Sequence, residues 1–205
     1  MSKYTLDTAA AKQANAGGRI DTTGKYVGAI KHAVLFTNHN GTDGVEFEFT
    51  DSSGSSATMT LWTRSAKNPK LSGYNVLMSM MTCCAIKSLN ETDRVIKKYD
   101  FDQKEVVDTR VMVAPEFDQK QIGLLLQREE YEKNNGDTGY RMNIIAAFQA
   151  ATDLTAGEIL DRKTTPEDLP KLISRLTDKK AKPKVGGSKP AQYANAADLD
   201  SDIPF

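Results

Sequence analysis

The chain has 205 residues, of which 39% are hydrophobic, and its 27 basic and 27 acidic residues cancel to a net charge of zero. This size suits one domain with tails, and the low apolar content indicates that part of the chain is unpacked. The adjacent Cys83 and Cys84 offer no disulfide framework, and zinc-ligand spacing is missing, so we expect no metal and no other cofactor. Without a membrane-length apolar run or a signal-peptide core, the chain is predicted to be soluble and cytoplasmic.

The N-terminal part of the chain predicts an arm followed by three strands. Residues 1–18 are polar and Ala-rich, which favours a flexible arm. Residues 25–37 are rich in β-branched and aromatic side chains, and residues 45–49 and 57–62 alternate apolar and polar side chains. Clusters of turn residues separate these runs, so the pattern indicates three strands joined by hairpin-length loops.

The pattern changes after the third strand. Apolar residues recur at three- and four-residue spacing and predict an amphipathic helix over residues 73–89. Residues 91–118 are charged and ambiguous, with alternating valines that suggest a strand before Pro115. The turn sequence NNGDTG then lies between two strand-like runs, which is a strong hairpin signal.

The remaining folded part is predicted to be helical. Thr155 and Glu158 have the spacing of a capping box, and Thr165-Pro166 is typical of the start of a second helix. After Leu176 the sequence has almost nothing to bury, which predicts disorder.

This order of elements predicts a mainly β fold. Three strands, a helix and a two-stranded hairpin match a five-stranded OB-fold barrel with its helix between strands three and four, followed by additional C-terminal helices and a disordered tail. The predicted organisation is an arm over residues 1–18, the barrel domain over 19–176, a linker over 177–197 and an acidic tip over 198–205.

The acidic tip carries the most specific signal in the sequence. The stretch Ala197-Asp198-Leu199-Asp200-Ser201-Asp202-Ile203-Pro204-Phe205 resembles the C-terminal tip of bacterial and bacteriophage single-stranded DNA-binding proteins. The resemblance implies an OB-fold that binds single strands during DNA replication, recombination and repair, with a tip that recruits partner proteins. The segment between the helix and the fourth strand is similar to the bacteriophage members, which implies the cytoplasm of a bacterial host.

The chemistry of the tip suits partner binding. Phe205 presents a ring and the terminal carboxylate together, so an apolar pocket beside a basic side chain can hold both. The other predicted partner-binding residues add apolar contact or steer the tip towards basic surfaces: Asp198, Asp200, Asp202, Ile203 and Pro204.

A DNA-binding face is predicted from aromatic and basic side chains, because single strands bind OB-folds by base stacking and phosphate contacts. On the third strand Ala57, Met59 and Leu61 are expected to point inward and Trp62 outward, although a core position for Trp62 stays open. Phe47 and Phe49 are predicted to be core residues. The predicted DNA-binding residues are Lys25, Lys31, Trp62, Arg64, Lys67, Lys70, Tyr74, Arg128, Tyr131, Lys133, Tyr140 and Arg141.

Other classes of function fit less well. Residues 18–25 resemble a phosphate-binding loop only superficially, because five residues separate the glycines and Tyr26 follows the lysine. His32 and His39 have no partners at metal-ligand spacing, so no catalytic residue is predicted. Two alternatives stay open: an adaptor that uses the tip without binding DNA, and a recombination protein that anneals strands. Homo-oligomerisation also stays open.

Overall fold

A computed structural model describes residues 5, 6, 8, 17–100, 103–133 and 135–181, and the protein is mainly β. Seven strands form one antiparallel sheet, and the helices are few and short. The strands are β1 (Gly24–Thr37), β2 (Asp43–Asp51), β3 (Ser56–Arg64), β4 (Thr92–Asp100), β5 (Glu105–Val113), β6 (Gln121–Glu132) and β7 (Thr138–Phe148). The helices are α1 (Ser72–Cys83), α2 (Ala156–Leu160) and α3 (Asp168–Arg175), with a 3-10 turn at Pro115–Phe117.

Strand β1 organises the sheet, because it pairs with three other strands. Along most of its length it pairs with β2, and a bulge between Ile30 and His32 interrupts this register. Its first part, Gly24–Ala29, pairs on the other side with β6, whereas Val34 and Leu35 pair there with β5. A bulge bends a strand and increases its twist, which is consistent with the change of neighbour along β1.

The main core lies between the inward faces of the sheet and helix α1. Phe47 and Phe49 are fully buried, which confirms their predicted core role, and Phe47 meets the Phe117 ring edge to face at 5.2 Å. Met80 of α1 is also fully buried in this core. A smaller cluster on the opposite face of β6 and β7 joins Leu125 and Phe148 to Leu169 of α3.

The helices differ in part from their prediction. Helix α1 ends at Cys83, earlier than the predicted residue 89, because Ala85 has a left-handed backbone with φ of 55°. The predicted capping box of Thr155 and Glu158 is confirmed at the start of α2. In the described part of the chain, no helix has the length and apolar character needed to cross a bilayer.

Glu158 ties α2 to α3. Its carboxylate is buried and accepts hydrogen bonds from the Thr155 N–H at 2.8 Å and hydroxyl at 2.9 Å. It also accepts from the N–H groups of Glu167 and Asp168 at the start of α3. Burial opposes ionisation of this group, but the hydrogen bonds outweigh it and lower the Glu158 pKa to about 2.

The sheet has two more strands than the five predicted. Strands β4 and β5 form a hairpin within the segment that the sequence left ambiguous, and only the strand over residues 107–113 was suggested by its valines. Ion pairs hold this hairpin to the rest of the protein: Arg94 Nη1 lies 2.6 Å from Asp118 Oδ2, and Lys98 Nζ lies 2.7 Å from Glu46 Oε1.

Two short segments extend the sheet beyond the named strands. Residues 18–20 run beside the start of β3, with the Ile20 N–H donating to the Ser56 carbonyl at 2.8 Å. Lys179 forms a parallel bridge with Glu129 of β6, although the sequence assigns residue 179 to the linker. Within the described residues no ladder joins β3 to β7, so the sheet is open between these two strands.

Candidate nucleic-acid interface

The strand pattern of β3 places Trp62 on the outward face of the sheet. Ala57, Met59 and Leu61 are buried, as predicted from the alternation, and Trp62 is half-buried on the other face. The Trp62 ring meets the Phe36 ring of β1 edge to face, with centroids 5.3 Å apart and planes at 73°. Trp62 is thus half-buried and is not among the buried residues of the main core.

Gly44 of β2 makes this aromatic pair feasible. It lies between the two rings in the register, opposite Phe36 on one side and Trp62 on the other. A Cβ atom at Gly44 would lie 2.7 Å from Phe36 Cζ and 3.2 Å from Trp62 Cε3. Glycine in a strand interior often marks such a close approach. The two rings therefore pack over the Gly44 backbone, and each remains partly accessible to solvent.

Exposed basic side chains follow Trp62 along the chain. Arg64 follows Trp62 on the same face, and Lys67 and Lys70 are exposed in the loop that leads to α1. Lys70 Nζ lies 5.4 Å from the centroid of the Tyr74 ring. Arg64 Nε contacts Asp43 Oδ2 at 2.9 Å, whereas neither lysine forms an ion pair with any described residue. We call this group the Trp62 surface: Phe36, Trp62, Arg64, Lys67, Lys70 and Tyr74.

An open cleft of about 350 Å³ runs beside the Trp62 surface. Phe36, Arg64 and Tyr74 line it, together with Met112 from the base of the β4–β5 hairpin. Asp43 and Glu91 also line the cleft, so its charge is mixed.

A second aromatic–basic group lies on β6 and β7, towards the turn that joins these two strands. Tyr140 carries a guanidinium group on each side: Arg128 at 4.7 Å and Arg19 at 4.8 Å from the ring centroid. Such cation–π contacts hold the cations in place without neutralising them. Arg128 also contacts Glu130, at 3.4 Å. We call Arg19, Arg128 and Tyr140 the Tyr140 cluster.

Besides Arg64 and Arg128, three more of the predicted DNA-binding cations are held by carboxylates. Lys25 Nζ lies 2.6 Å from Asp153 and also over the Phe148 ring, while Lys31 Nζ lies 2.8 Å from Glu48. Arg141 Nε lies 2.7 Å from Glu129. The structure does not bring these three cations into the Trp62 surface.

Glu129 is the centre of a polar group on the face of β6 opposite the core. Its carboxylate accepts hydrogen bonds from Arg141 and Asn143, each at 2.7 Å, and lies 3.1 Å from Lys179 Nζ. Burial opposes its ionisation, but these donors outweigh burial and hold the Glu129 pKa at about 2. The group fixes the end of the described chain, residues 179–181, against β6.

Tyr131 and Lys133 lie near the tip of the β6–β7 hairpin. Both are exposed, and the Tyr131 ring packs over Gly139, where a Cβ atom would come within 2.8 Å of Tyr131 Cζ. They are accessible to a ligand but are not part of either aromatic–basic group. The predicted partner-binding residues of the tip lie outside the described residues, as do most of the predicted arm and most of the linker.

Two residues of the candidate interface were not predicted from sequence. Phe36 pairs with Trp62, and the available signal was Gly44, a glycine inside an alternating strand. Arg19 precedes the first strand and meets Tyr140 only through the fold, so nothing local indicated its role.

Two observations concern the cysteines and the possible metal ligands of the described residues. Burial raises the pKa of the Cys83 thiol to about 12 and that of Cys84 to about 11, so neither forms a thiolate near neutral pH. Among the described residues, no three His, Cys, Asp or Glu side chains are grouped so that they could hold a metal ion.

Comparisons with known proteins give no family assignment. No protein-family model matches the chain, and a search of the curated proteins finds no significant match.

Proposed function

We propose that this protein binds single-stranded DNA without sequence preference. The observation that carries the proposal is the half-buried Trp62–Phe36 pair, followed along the chain by the exposed basic residues Arg64, Lys67 and Lys70. Aromatic rings stack on any base, and mobile lysines contact phosphates, which is how sequence-independent binders hold single strands. The Tyr140 cluster, which also combines an aromatic ring with basic side chains, offers a second candidate contact for a single strand.

We further propose that the sheet is an OB-fold barrel with the β4–β5 hairpin inserted. In support, α1 lies between β3 and β6, and β1 pairs with both β2 and β6. If β4 and β5 are set aside, the remaining five strands follow the order expected of this fold. Residues 18–20 occupy part of the gap beside β3, and Arg19 reaches from there to Tyr140 of β7.

The role in the cell is proposed from the resemblance of the C-terminal tip. A protein of this kind protects single strands during DNA replication, recombination and repair, and recruits partners through Asp202-Ile203-Pro204-Phe205. A bacteriophage origin, and with it the bacterial cytoplasm, belongs to the same proposal.

The test is a titration of the full chain against labelled oligonucleotides, followed by fluorescence anisotropy. We expect similar affinities for thymidine-only and mixed single strands, weaker binding to duplex, and weaker binding as salt rises. A strong preference for duplex or for one sequence would contradict the proposal.

The alternatives give different outcomes in the same experiment. No binding to any oligonucleotide, with partner capture through the tip retained, would indicate an adaptor. Faster pairing of complementary strands than buffer alone would indicate an annealing protein. Cleavage of the oligonucleotide in the presence of Mg²⁺ would indicate an enzyme.

A further inference from the structure

Strand β4 forms an edge of the sheet. Within the described residues it pairs only with β5, and its nine residues contain no proline. An edge of this length presents unpaired N–H and C=O groups to any other strand, so proteins usually cover or protect it. The chemistry of β4 therefore indicates what it meets in solution.

The hairpin carries exposed apolar side chains on the face turned away from the rest of the protein. The exposed fractions are 60% for Val95, 49% for Tyr99 and 61% for Val106. The opposite face is half-buried, and the ion pairs of Arg94 and Lys98 hold it to the body. The edge is thus presented in a fixed position, which lowers the entropic cost of pairing.

The charges of the hairpin favour another copy of the chain over a nucleic acid. In the register, Lys97 lies opposite Asp108, and Arg110 lies 2.7 Å from Asp93. Acidic and basic side chains therefore balance on this face, which gives phosphates no net attraction. A face on which opposite charges balance and alternate along the strand can instead meet an identical face about a two-fold axis, with each charge opposite one of the other sign.

Two registers between two β4 strands avoid opposing like charges, and only the one centred on Val95 pairs most of the strand. We consider a two-fold axis perpendicular to the sheet, which places each residue opposite a residue of the same face. A centre at Ile96 sets Arg94 against Lys98, and a centre on any charged residue of β4 sets that residue against itself. A centre at Thr92 sets Glu91 against Asp93. A centre at Tyr99 opposes no like charges, but it pairs only the last three residues of β4. A centre at Val95 sets Asp93 opposite Lys97 twice, with the two Val95 side chains in contact.

We propose that the protein forms a homodimer in which β4 pairs antiparallel with β4 of a second copy, centred on Val95. Asp93 then faces the partner's Lys97, and Lys97 faces the partner's Asp93. The pairing joins the two seven-stranded sheets into one, and the unpaired N–H and C=O groups of each β4 edge gain hydrogen-bond partners. This inference stands on the hairpin and does not depend on DNA binding.

The test is sedimentation equilibrium of the full chain over a range of concentrations, without nucleic acid. The wild type should be a dimer. Asp93→Lys sets Lys against Lys, and Lys97→Asp sets Asp against Asp, so each should raise the dimer dissociation constant roughly tenfold or more. The combined variant D93K/K97D/D108K/R110D restores opposite charges both between the copies and within each hairpin, and should dimerise like the wild type.

A matched control is Lys87→Asp, because Lys87 is exposed and lies outside the hairpin. It makes the same change of charge and should leave the dimer intact. Circular dichroism melting of each variant reports whether the fold is retained. A monomeric wild type would overturn the proposal, and so would single variants that dimerise normally or a combined variant that stays dissociated.

Discussion

Replacement of Trp62 by alanine separates the binding role of this ring from its structural role. The ring is half-buried and packs on Phe36, while the inward side chains of β3, such as Met59 and Leu61, are unaffected by the change. Loss of an edge-to-face pair costs about 0.5–1.5 kcal/mol beyond the area it buries. We therefore expect Trp62→Ala to lower the free energy of unfolding by roughly 1–3 kcal/mol and to leave the protein folded.

The effect on DNA binding should be at least as large. Stacking on one aromatic ring contributes about 1–3 kcal/mol per base, so the dissociation constant should rise by roughly 5- to 150-fold. In the wild type, single strands should also quench the intrinsic fluorescence, because Trp62 is the only Trp in the chain.

The measurement is anisotropy of a labelled oligonucleotide, with thermal melting of each variant in parallel. Thr60→Ala is the control, since Thr60 is exposed on the same face of β3, two residues before Trp62. It should change neither affinity nor stability by much. If Trp62→Ala lowers the melting temperature but leaves affinity unchanged, the Trp62 surface is not the binding face.

Three further predictions concern other parts of the molecule. Arg128→Glu should weaken single-strand binding and reduce the slope of log affinity against log salt by about one; an unchanged slope would remove the Tyr140 cluster from the interface. Deletion of residues 198–205 should raise single-strand affinity severalfold at low salt and abolish partner capture, whereas loss of Phe205 alone should abolish only the capture; unchanged behaviour on both counts would refute the role of the tip. Because the Glu158 pKa is about 2 in the folded protein, below its ordinary value of 4.5 in an unfolded chain, its contribution to stability is complete above pH 4.5 and is lost as the pH falls towards 2. Glu158→Gln should therefore lower the free energy of unfolding by about 1–3 kcal/mol at neutral pH, and its free energy of unfolding in urea should change less with pH between 4.5 and 2 than that of the wild type. If the variant and the wild type lost stability in parallel over this range, Glu158 would not be the group responsible.

The parts of the fold that sequence could predict are those with local periodicity. The alternation in β3 correctly separated Met59 and Leu61 from Trp62, because strand side chains have a strict period of two. The β4 and β5 strands were largely missed, since their polar side chains stand on both faces and hide that period.

The candidate interface was less predictable because it depends on contacts between distant residues. Lys25 was predicted to contact DNA, yet its partner Asp153 lies 128 positions away in the chain. The basic character of a side chain is visible in the sequence, but a carboxylate that will neutralise it is not. The same reason explains why Arg19 was not predicted beside Tyr140.

The shared pairing of β1 has a consequence for the order in which the protein folds. Residues 24–29 of β1 pair with residues 121–126 of β6, so this ladder closes a loop of roughly a hundred residues. The β1–β3 meander is local and can form early, but the first part of β1 lacks one neighbour until β6 has been synthesised. Because non-local pairing slows folding, we expect the amides of Gly24–Ala29 that bond to β6 to gain protection after those of β2 and β3. Pulse-labelling hydrogen exchange during refolding would reveal that delay, and simultaneous protection would contradict it.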